Sequence, residues 1–460
     1  MQQAAYRIGL HNQEPRMDSQ PTNVTAANSS RAITKGADAA AEESLRRRWW
    51  YILPAVFVTY SLAYLDRANY GFGAAAGLAA TLHITEKDAS LLSGLFFLGY
   101  FAFQVPGAAL ATRYSIKGAV CTALVAWGSL AALTGVITQF WLLALDRFLL
   151  GVAESLIFPV MLLLLTRWFT RCERSRANTI LILGNAITVL WMSAITGFLI
   201  QKFGWQKTFV LEGIPSVLWG FVWVVLVRDR PSEAGWISRQ AAELLDDRLA
   251  KEQIGIAPVR AARKVMLRGD VLLLSAQYFC WSLGVYGFVL WLPTIVRRGA
   301  AASMAKTGLL SALPYCAAIV LMLFVSYVSD KALKRESLVW PFLLVSGIAL
   351  TGSFLLAERS FTLTFVCLVI SGGCMYAPYG PFFAIVPERV PRNVAAQVMA
   401  LINSCGALGG FVGSYLVGLL QAITGNARSG YMLMSLSLIC SAVLMLFLRD
   451  APLADGDVVP

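Results

Sequence analysis

Charge is what this sequence lacks. Only 14% of its 460 residues are Asp, Glu, Lys or Arg, while 57% are hydrophobic and the mean hydropathy is +0.64. A soluble chain carries roughly a quarter charged residues, so a soluble globular fold is excluded. Short segments of alternating polarity are also missing, which excludes a membrane β-barrel. The eight cysteines form no Cys-x-x-Cys pair. They imply neither a metal site nor a disulfide framework and read as small apolar residues in helices. There is no His-Glu-x-x-His, no phosphate-binding loop and no Gly-x-Ser-x-Gly, so nothing points to an enzyme, and no cofactor or metal is expected. His83 reads as ordinary surface. Residues 1–45 lack an apolar core, so no cleavable signal is read there. That polar tail is expected to be disordered.

What the chain does have is a series of apolar runs of about 20 residues, each long enough to cross a hydrocarbon layer of about 30 Å. Twelve are read: 50–74, 89–111, 118–138, 141–167, 177–201 and 208–227, then 269–296, 306–328, 338–357, 361–386, 394–420 and 430–448. They predict an all-α polytopic membrane protein. A polar segment, 228–268, separates two blocks of six, and its middle piece AAELLDDRLAKE reads as an amphipathic helix. The expected organisation is a tail (1–45), a first bundle (46–227), a linker (228–268), a second bundle (269–450) and a tail (451–460).

The formal net charge of +12 could suggest nucleic acid, but Lys and Arg cluster in loops. Arg113, Lys117, Arg167, Arg171, Arg174, Arg176, Lys331, Lys334, Arg335, Arg389 and Arg392 all follow even-numbered spans. The linker and Arg46-Arg47-Arg48 fall on the same side. The opposite loops are poorer in positive charge, Arg297, Arg298 and Lys306 excepted. The positive-inside rule then makes both termini cytoplasmic, with no nucleic-acid partner required. The sequons at Asn23 and Asn28 fall on that side too, where glycans are not added. The halves also echo one another. GVAESLIFP in the fourth span and GGCMYAPYGP in the tenth are Gly- and Pro-interrupted helices in corresponding positions, which points to a central site between repeats.

Few ionisable residues lie inside the spans. Asp66 and Arg67 stand in the first, Arg147 and Glu154 in the fourth, and Asp146 at that span's outer edge; the second block holds essentially none. Such charges cost about 2.5–3.5 kcal/mol on insertion scales and so mark a functional interior, the alternative being a buried structural ion pair. Adjacent Asp66 and Arg67 point about 100° apart on a helix and are expected to have separate partners. Tyr64 shares a face with Arg67, and Asn69 with Asp66. Arg147 and Glu154 are two turns apart on one face, together with Gly151, whose small size permits close helix approach. Burial disfavours a charged carboxylate unless a cation pairs with it. Two arginines against two carboxylates therefore suit an anion once the carboxylates take up protons. The second block offers polar and aromatic candidates instead: Gln277, Tyr286, Trp291, Tyr315, Tyr376, Tyr379 and Asn403. Of these, Tyr376 and Asn403 stand mid-span, where polar groups need partners.

The chain resembles the major facilitator superfamily and, within it, the anion:cation symporter family. The resemblance rests on YLDRANYG, GYFAFQVPG, RFLLGVAESLIFP, FGWQKTFVLEGIPSVLWGFVWVVLVRDRPSEAGWIS, YGFVLWLP and NSCGALGGFVGSYLVG, and covers nearly everything from Arg46 to Asp450. It implies two six-helix bundles around a central cavity that work by alternating access. Asp66 and Glu154 fall on the family's proton-accepting groups. Arg67, with Tyr64 beside it, falls on its substrate-linked arginine, and Tyr100, Arg147, Asn185 and Asn403 fall on further cavity positions. The superfamily's loop after the second span usually carries an Asp followed by basic residues. Here GAALATRYSIKG has Thr112 at the Asp position and keeps Arg113, while SDKALKR in the other half keeps Asp330 and Lys331. Arg113, Asp330 and Lys331 are the implied gate, and its symmetry is broken.

The expected function is proton-coupled import of an organic carboxylate across the plasma (inner) membrane by a monomer. A sugar acid, a hydroxy acid and an aromatic acid fit alike. The alternative is a proton-driven exporter of a drug or metabolite. A membrane sensor would need a large soluble domain, which is not seen.

Overall fold

Lipid offers a backbone no hydrogen-bond partners, so each crossing must be a helix. A computed structural model of the chain describes residues 39–254, 258–259, 261–300, 304–424 and 428–448. The first block comprises Arg48–Ala75, Glu86–Arg113, Ile116–Thr134, a fourth span in two pieces (Phe140–Ser155 and Ile157–Trp168), and the fifth and sixth spans in the stretch Arg171–Leu226. That last stretch turns back at Gly204, whose φ of 80° and ψ of 162° are not helical and suit a residue without a Cβ. The second block comprises Gly269–Ala300, Met304–Ala332, Glu336–Leu356, a tenth span in two pieces (Phe361–Tyr376 and Tyr379–Arg389), Ala395–Thr424 and Arg428–Leu446. The twelve crossings form two pseudo-symmetric bundles of six around a central cavity.

Among the described residues, ten helices are long and apolar enough to cross a membrane by composition. The first span and the start of the fifth fall short of that measure. The first carries Asp66 and Arg67; the fifth opens with Arg171, Glu173, Arg174 and Arg176. The fourth and tenth spans are both interrupted mid-way, at Leu156 and at Ala377-Pro378. This is the correspondence expected from their Gly and Pro content. The bundles meet where the second span packs on the eleventh, and where the fifth packs on the eighth and tenth.

Residues 39–45 correct the expectation of a disordered tail, because residues 39–46 are helical. Ala41 and Leu45 are buried, and Ser44 Oγ accepts the Ser238 N–H at 2.9 Å. Arg248 pairs with Glu42 and holds its carboxyl below the usual range. The partner surface is the linker helix, Arg239–Lys251, capped by Ser238 and buried through Ala241, Ala242, Leu245 and Leu249. Trp236 in the linker stacks on Tyr51 and on Trp168, at 4.6 and 5.0 Å between ring centres. The linker thus lies across the ends of the bundles, and that end is called the linker face below. Residues 1–38 with their sequons, residues 451–460, and the side chains of Trp291, Arg297, Arg298 and Lys306 lie outside the described residues.

Candidate functional site

The break in the fourth span sits beside Glu154, and the break in the tenth lies between Tyr376 and Tyr379. A helix interrupted at mid-membrane frees its side chains to face a cavity. Between the bundles lies a cavity of about 40 Å³ lined by residues of both halves. That volume holds about three waters and no organic acid, so a solute can be admitted only when the bundles move.

Seven of the expected substrate residues line this cavity: Arg67, Tyr100, Asn185, Tyr286, Tyr376, Tyr379 and Asn403. Asn403 Nδ2 reaches across the bundle boundary, 2.9 Å from Gln104 Oε1 and 3.4 Å from Tyr100 Oη. The remaining lining includes further rings, among them Tyr60 and Phe158 from the first half and Tyr278 from the second. Periodicity gave no reason to single out these three, since each reads as ordinary helix packing.

Two expected substrate residues do not line it. Arg147 is buried behind the cavity, 4.6 Å from the Tyr70 ring centre and 5.2 Å from that of Phe96. Its Nε and Nη1 have no partner. Tyr64 stands one turn before Arg67, near Tyr315, Tyr286 and Arg67, but is not among the residues that line the cavity. Spacing along one helix gives the face of a residue, not whether a neighbouring helix covers it. Gln277 and Tyr315 are packing residues as well: Gln277 Nε2 donates to Ser441 Oγ at 2.9 Å, and Tyr315 lies against Tyr376.

Arg67 Nε donates to Glu154 Oε2 at 2.8 Å, and its guanidinium lies 4.4 Å from the Tyr100 ring centre. Glu154 has no exposure and Asp66 little. The two carboxyl groups lie beside each other, and Arg147 is near both. Separate partners were expected for Asp66 and Arg67, but Glu154 lies against both. Glu154 Oε1, Asp66 Oδ2, Arg67 Nη2 and Asn185 Oδ1 are all buried without a hydrogen-bond partner. Unpaired buried polar atoms cost about 1–3 kcal/mol each, so this concentration of them marks a place where a proton or a solute belongs. Gly151 makes the arrangement possible. A Cβ there would overlap the Phe96 carbonyl and stand 2.9 Å from the Tyr100 amide nitrogen.

The sequence reading missed a further buried acid. Glu212, in the sixth span, accepts from the Thr196 hydroxyl at 2.8 Å, and that hydroxyl lies 3.4 Å from Asn69 Oδ1. Asn69, treated as a helper of Asp66, thus joins a polar contact between the first, fifth and sixth spans. Asp146 is buried too, with Thr134 donating to Oδ2 at 2.6 Å. A count of acids falling within apolar runs would have found Glu212.

At the linker face, among the described residues, only one of the three expected gate residues joins an ion network. Asp330 accepts the backbone N–H groups of Ser175 and Arg176 at 2.9 and 3.0 Å and pairs with Arg176 Nε at 2.9 Å. Arg335 donates to Glu388 at 2.7 Å, and Arg171 pairs with the same carboxylate at 3.2 Å. These contacts tie the start of the fifth span to the ends of the eighth and tenth and close the linker face. Lys331 instead lies over the Tyr327 ring at 4.5 Å, and Arg113 over Tyr114 at 5.8 Å. Lys331 follows Asp330 directly and so leaves that helix on a different face.

Comparison with known proteins follows this geometry. The family model described as Major Facilitator Superfamily matches residues 56–414. A quinolone resistance transporter of Acinetobacter baumannii is 30% identical over 414 residues, covering 88% of this chain and 94% of that protein. A putative tartrate transporter of Agrobacterium vitis is 30% identical over 430 residues, covering 90% of this chain and 97% of that one. Among solved structures, a proton:xylose symporter with a bound halogenated deoxyglucose superposes with a TM-score of 0.68 at 14% identity. That match covers 87% of this chain and 96% of the symporter.

Proposed function

Because this chain belongs to the major facilitator superfamily and is a multi-pass membrane transporter of small solutes, not an enzyme, we propose that it imports an organic hydroxy acid by proton symport. The observation that carries this reading is the Arg67–Glu154 pair, with a guanidinium nitrogen left unpaired at the cavity wall.

The coupling follows from electrostatics. Removing one partner of a buried pair costs about 3–5 kcal/mol, since the other charge is left stranded. Protonating Glu154 alone would strand Arg67. Admitting an anion alone would crowd two carboxylates onto one guanidinium. Doing both together keeps the site balanced, so proton and anion enter as a pair. Asp66 lies beside Glu154 and is positioned to share or pass on the proton. Arg67 takes the substrate carboxylate, for which a guanidinium fork is suited. Asn185 Oδ1 accepts a substrate hydroxyl, and the tyrosine walls stack on its carbon skeleton.

The positive-inside distribution supports a cytoplasmic linker face and cytoplasmic termini; the reading places a monomer in the plasma (inner) membrane. In this orientation the closed linker face separates the central cavity from the cytoplasm. Uptake of tartrate and related acids into proteoliposomes tests the proposal. Accumulation should require an acidic exterior, and an uptake indifferent to the proton gradient overturns it.

The name of the quinolone-resistance relative supports a second reading, proton-driven export of a drug or metabolite. Inverted vesicles separate the two. Under export, acidifying the lumen drives solute into it; under import, it does not.

A further inference from the structure

The linker face holds a second cavity, distinct from the central one, of about 760 Å³. Four arginines line it: Arg113 at the end of the second span, Arg167 at the end of the fourth, Arg230 in the linker, and Arg392 just before the eleventh span. One acid, Asp246, lines it with them, so the lining carries four positive charges against one negative. Six other arginines of this face are engaged. Arg48, Arg171, Arg174, Arg176, Arg335 and Arg389 all form ion pairs. Among the described residues, the four that line the cavity form none.

The two halves explain why. In the second half Asp330, near the end of the eighth span, meets the start of the fifth span and its Arg176. The corresponding place near the end of the second span is Thr112, which lines the cavity beside Arg392 and Asn393 at the start of the eleventh. Where one half has a carboxylate, the other has a cavity ringed by cations. The charges also oppose one another: partial desolvation first, then Arg174 and Arg230, push the Arg392 pKa down against the pull of Asp246 and Glu252.

We propose that this cavity binds a phosphate-bearing polyanion, which supplies from outside the negative charge that Thr112 does not. Its ligands come from both bundles and the linker: Arg113 and Arg167 on one side, Arg392 and Asn393 on the other, Arg230 between. A bound polyanion therefore bridges the bundles and stabilises the closed linker face, acting as a latch separate from the transport site. Arginine forks suit phosphate oxygens, and several such contacts are needed to hold a polyanion.

The test uses the full chain in phosphatidylcholine nanodiscs at fixed ionic strength and follows thermal unfolding. One arm adds pyrophosphate; the other replaces part of the lipid with cardiolipin. A rise in melting temperature with pyrophosphate identifies a soluble source, a rise with cardiolipin alone identifies a lipid headgroup, and a rise in both supports the proposal equally. The double variant Arg113→Gln/Arg392→Gln should need at least about tenfold more ligand for the same rise, since each charge-assisted bond is worth about 1.5–3 kcal/mol. Should that variant not fold, the exposed Arg230→Gln should show a smaller shift of the same sign. No rise in either arm, or an equal rise in the variants, overturns the proposal.

Discussion

Arg67 Nε and Glu154 Oε2 meet at 2.8 Å between the first and fourth spans, while Arg67 Nη2 and Glu154 Oε1 remain buried and unpaired. One contact thus joins the residue facing the cavity to the residue behind it. Glu154→Gln keeps the size and loses the titration. Accumulation driven by an acid gradient should vanish, while exchange of labelled for unlabelled substrate persists. Glu154→Ala also empties the space and should destabilise the fold by about 3–5 kcal/mol, read as a lower melting temperature in detergent. Retained accumulation in Glu154→Gln would remove this residue from the coupling step.

Arg67→Lys keeps the charge and loses the planar fork and its stacking on Tyr100. The expected result is an apparent KM at least about tenfold higher, equivalent to one charge-assisted hydrogen bond. Uptake kinetics at fixed pH measure it, and an unchanged KM would show that the substrate carboxylate binds elsewhere.

Asn185 carries the proposed preference for a hydroxyl. Asn185→Leu should reduce discrimination between a hydroxy acid and its deoxy analogue by about 10- to 100-fold, the worth of about 1–3 kcal/mol. Competition between tartrate and succinate against labelled substrate is the measurement. Loss of both affinities in parallel would assign Asn185 to packing.

Asp330 holds two backbone N–H groups and two arginines. Asp330→Asn should shift the population toward an open linker face by a factor of about ten or more, from the loss of charge-assisted contacts worth about 1.5–3 kcal/mol. Distances between spin labels at the starts of the fifth and ninth spans should lengthen. An unaltered distance distribution would leave closure to apolar packing.

Gly151→Ala should lower stability by about 1–3 kcal/mol, since its Cβ has nowhere to go between Phe96 and Tyr100. Gly197→Ala is the control, because a Cβ there meets nothing within 4 Å among the described residues. Equal melting temperatures for the two variants would contradict the close approach of the second and fourth spans.

Much of this protein is legible in its sequence because the signals are local. The apolar runs locate the spans, and the breaks in the fourth and tenth follow from the residues around Leu156 and Pro378. The same holds for the charge set: Asp66, Arg67, Arg147 and Glu154 stand out because the membrane makes each one expensive. Glu212 escaped because it lies near a span's edge, where a charge looks ordinary. Residues 39–45 escaped because a short helix that packs on a linker has the composition of a tail.

Which side chains meet was decided only in three dimensions. Spacing along one helix places Arg67 about 100° from Asp66 but does not say that Glu154 takes Arg67. Nor does it say that Arg147 is walled off by Tyr70 and Phe96, or that Thr112 opens onto a basic cavity. Those outcomes depend on helix rotation and crossing, which are set by packing at residues such as Gly151 rather than by hydropathy. The sequence alone determined a membrane transporter with a buried charge set, because charge and apolar length are properties of single segments. The pairing within that set is a property of two segments at once, and only the packed bundle defines it.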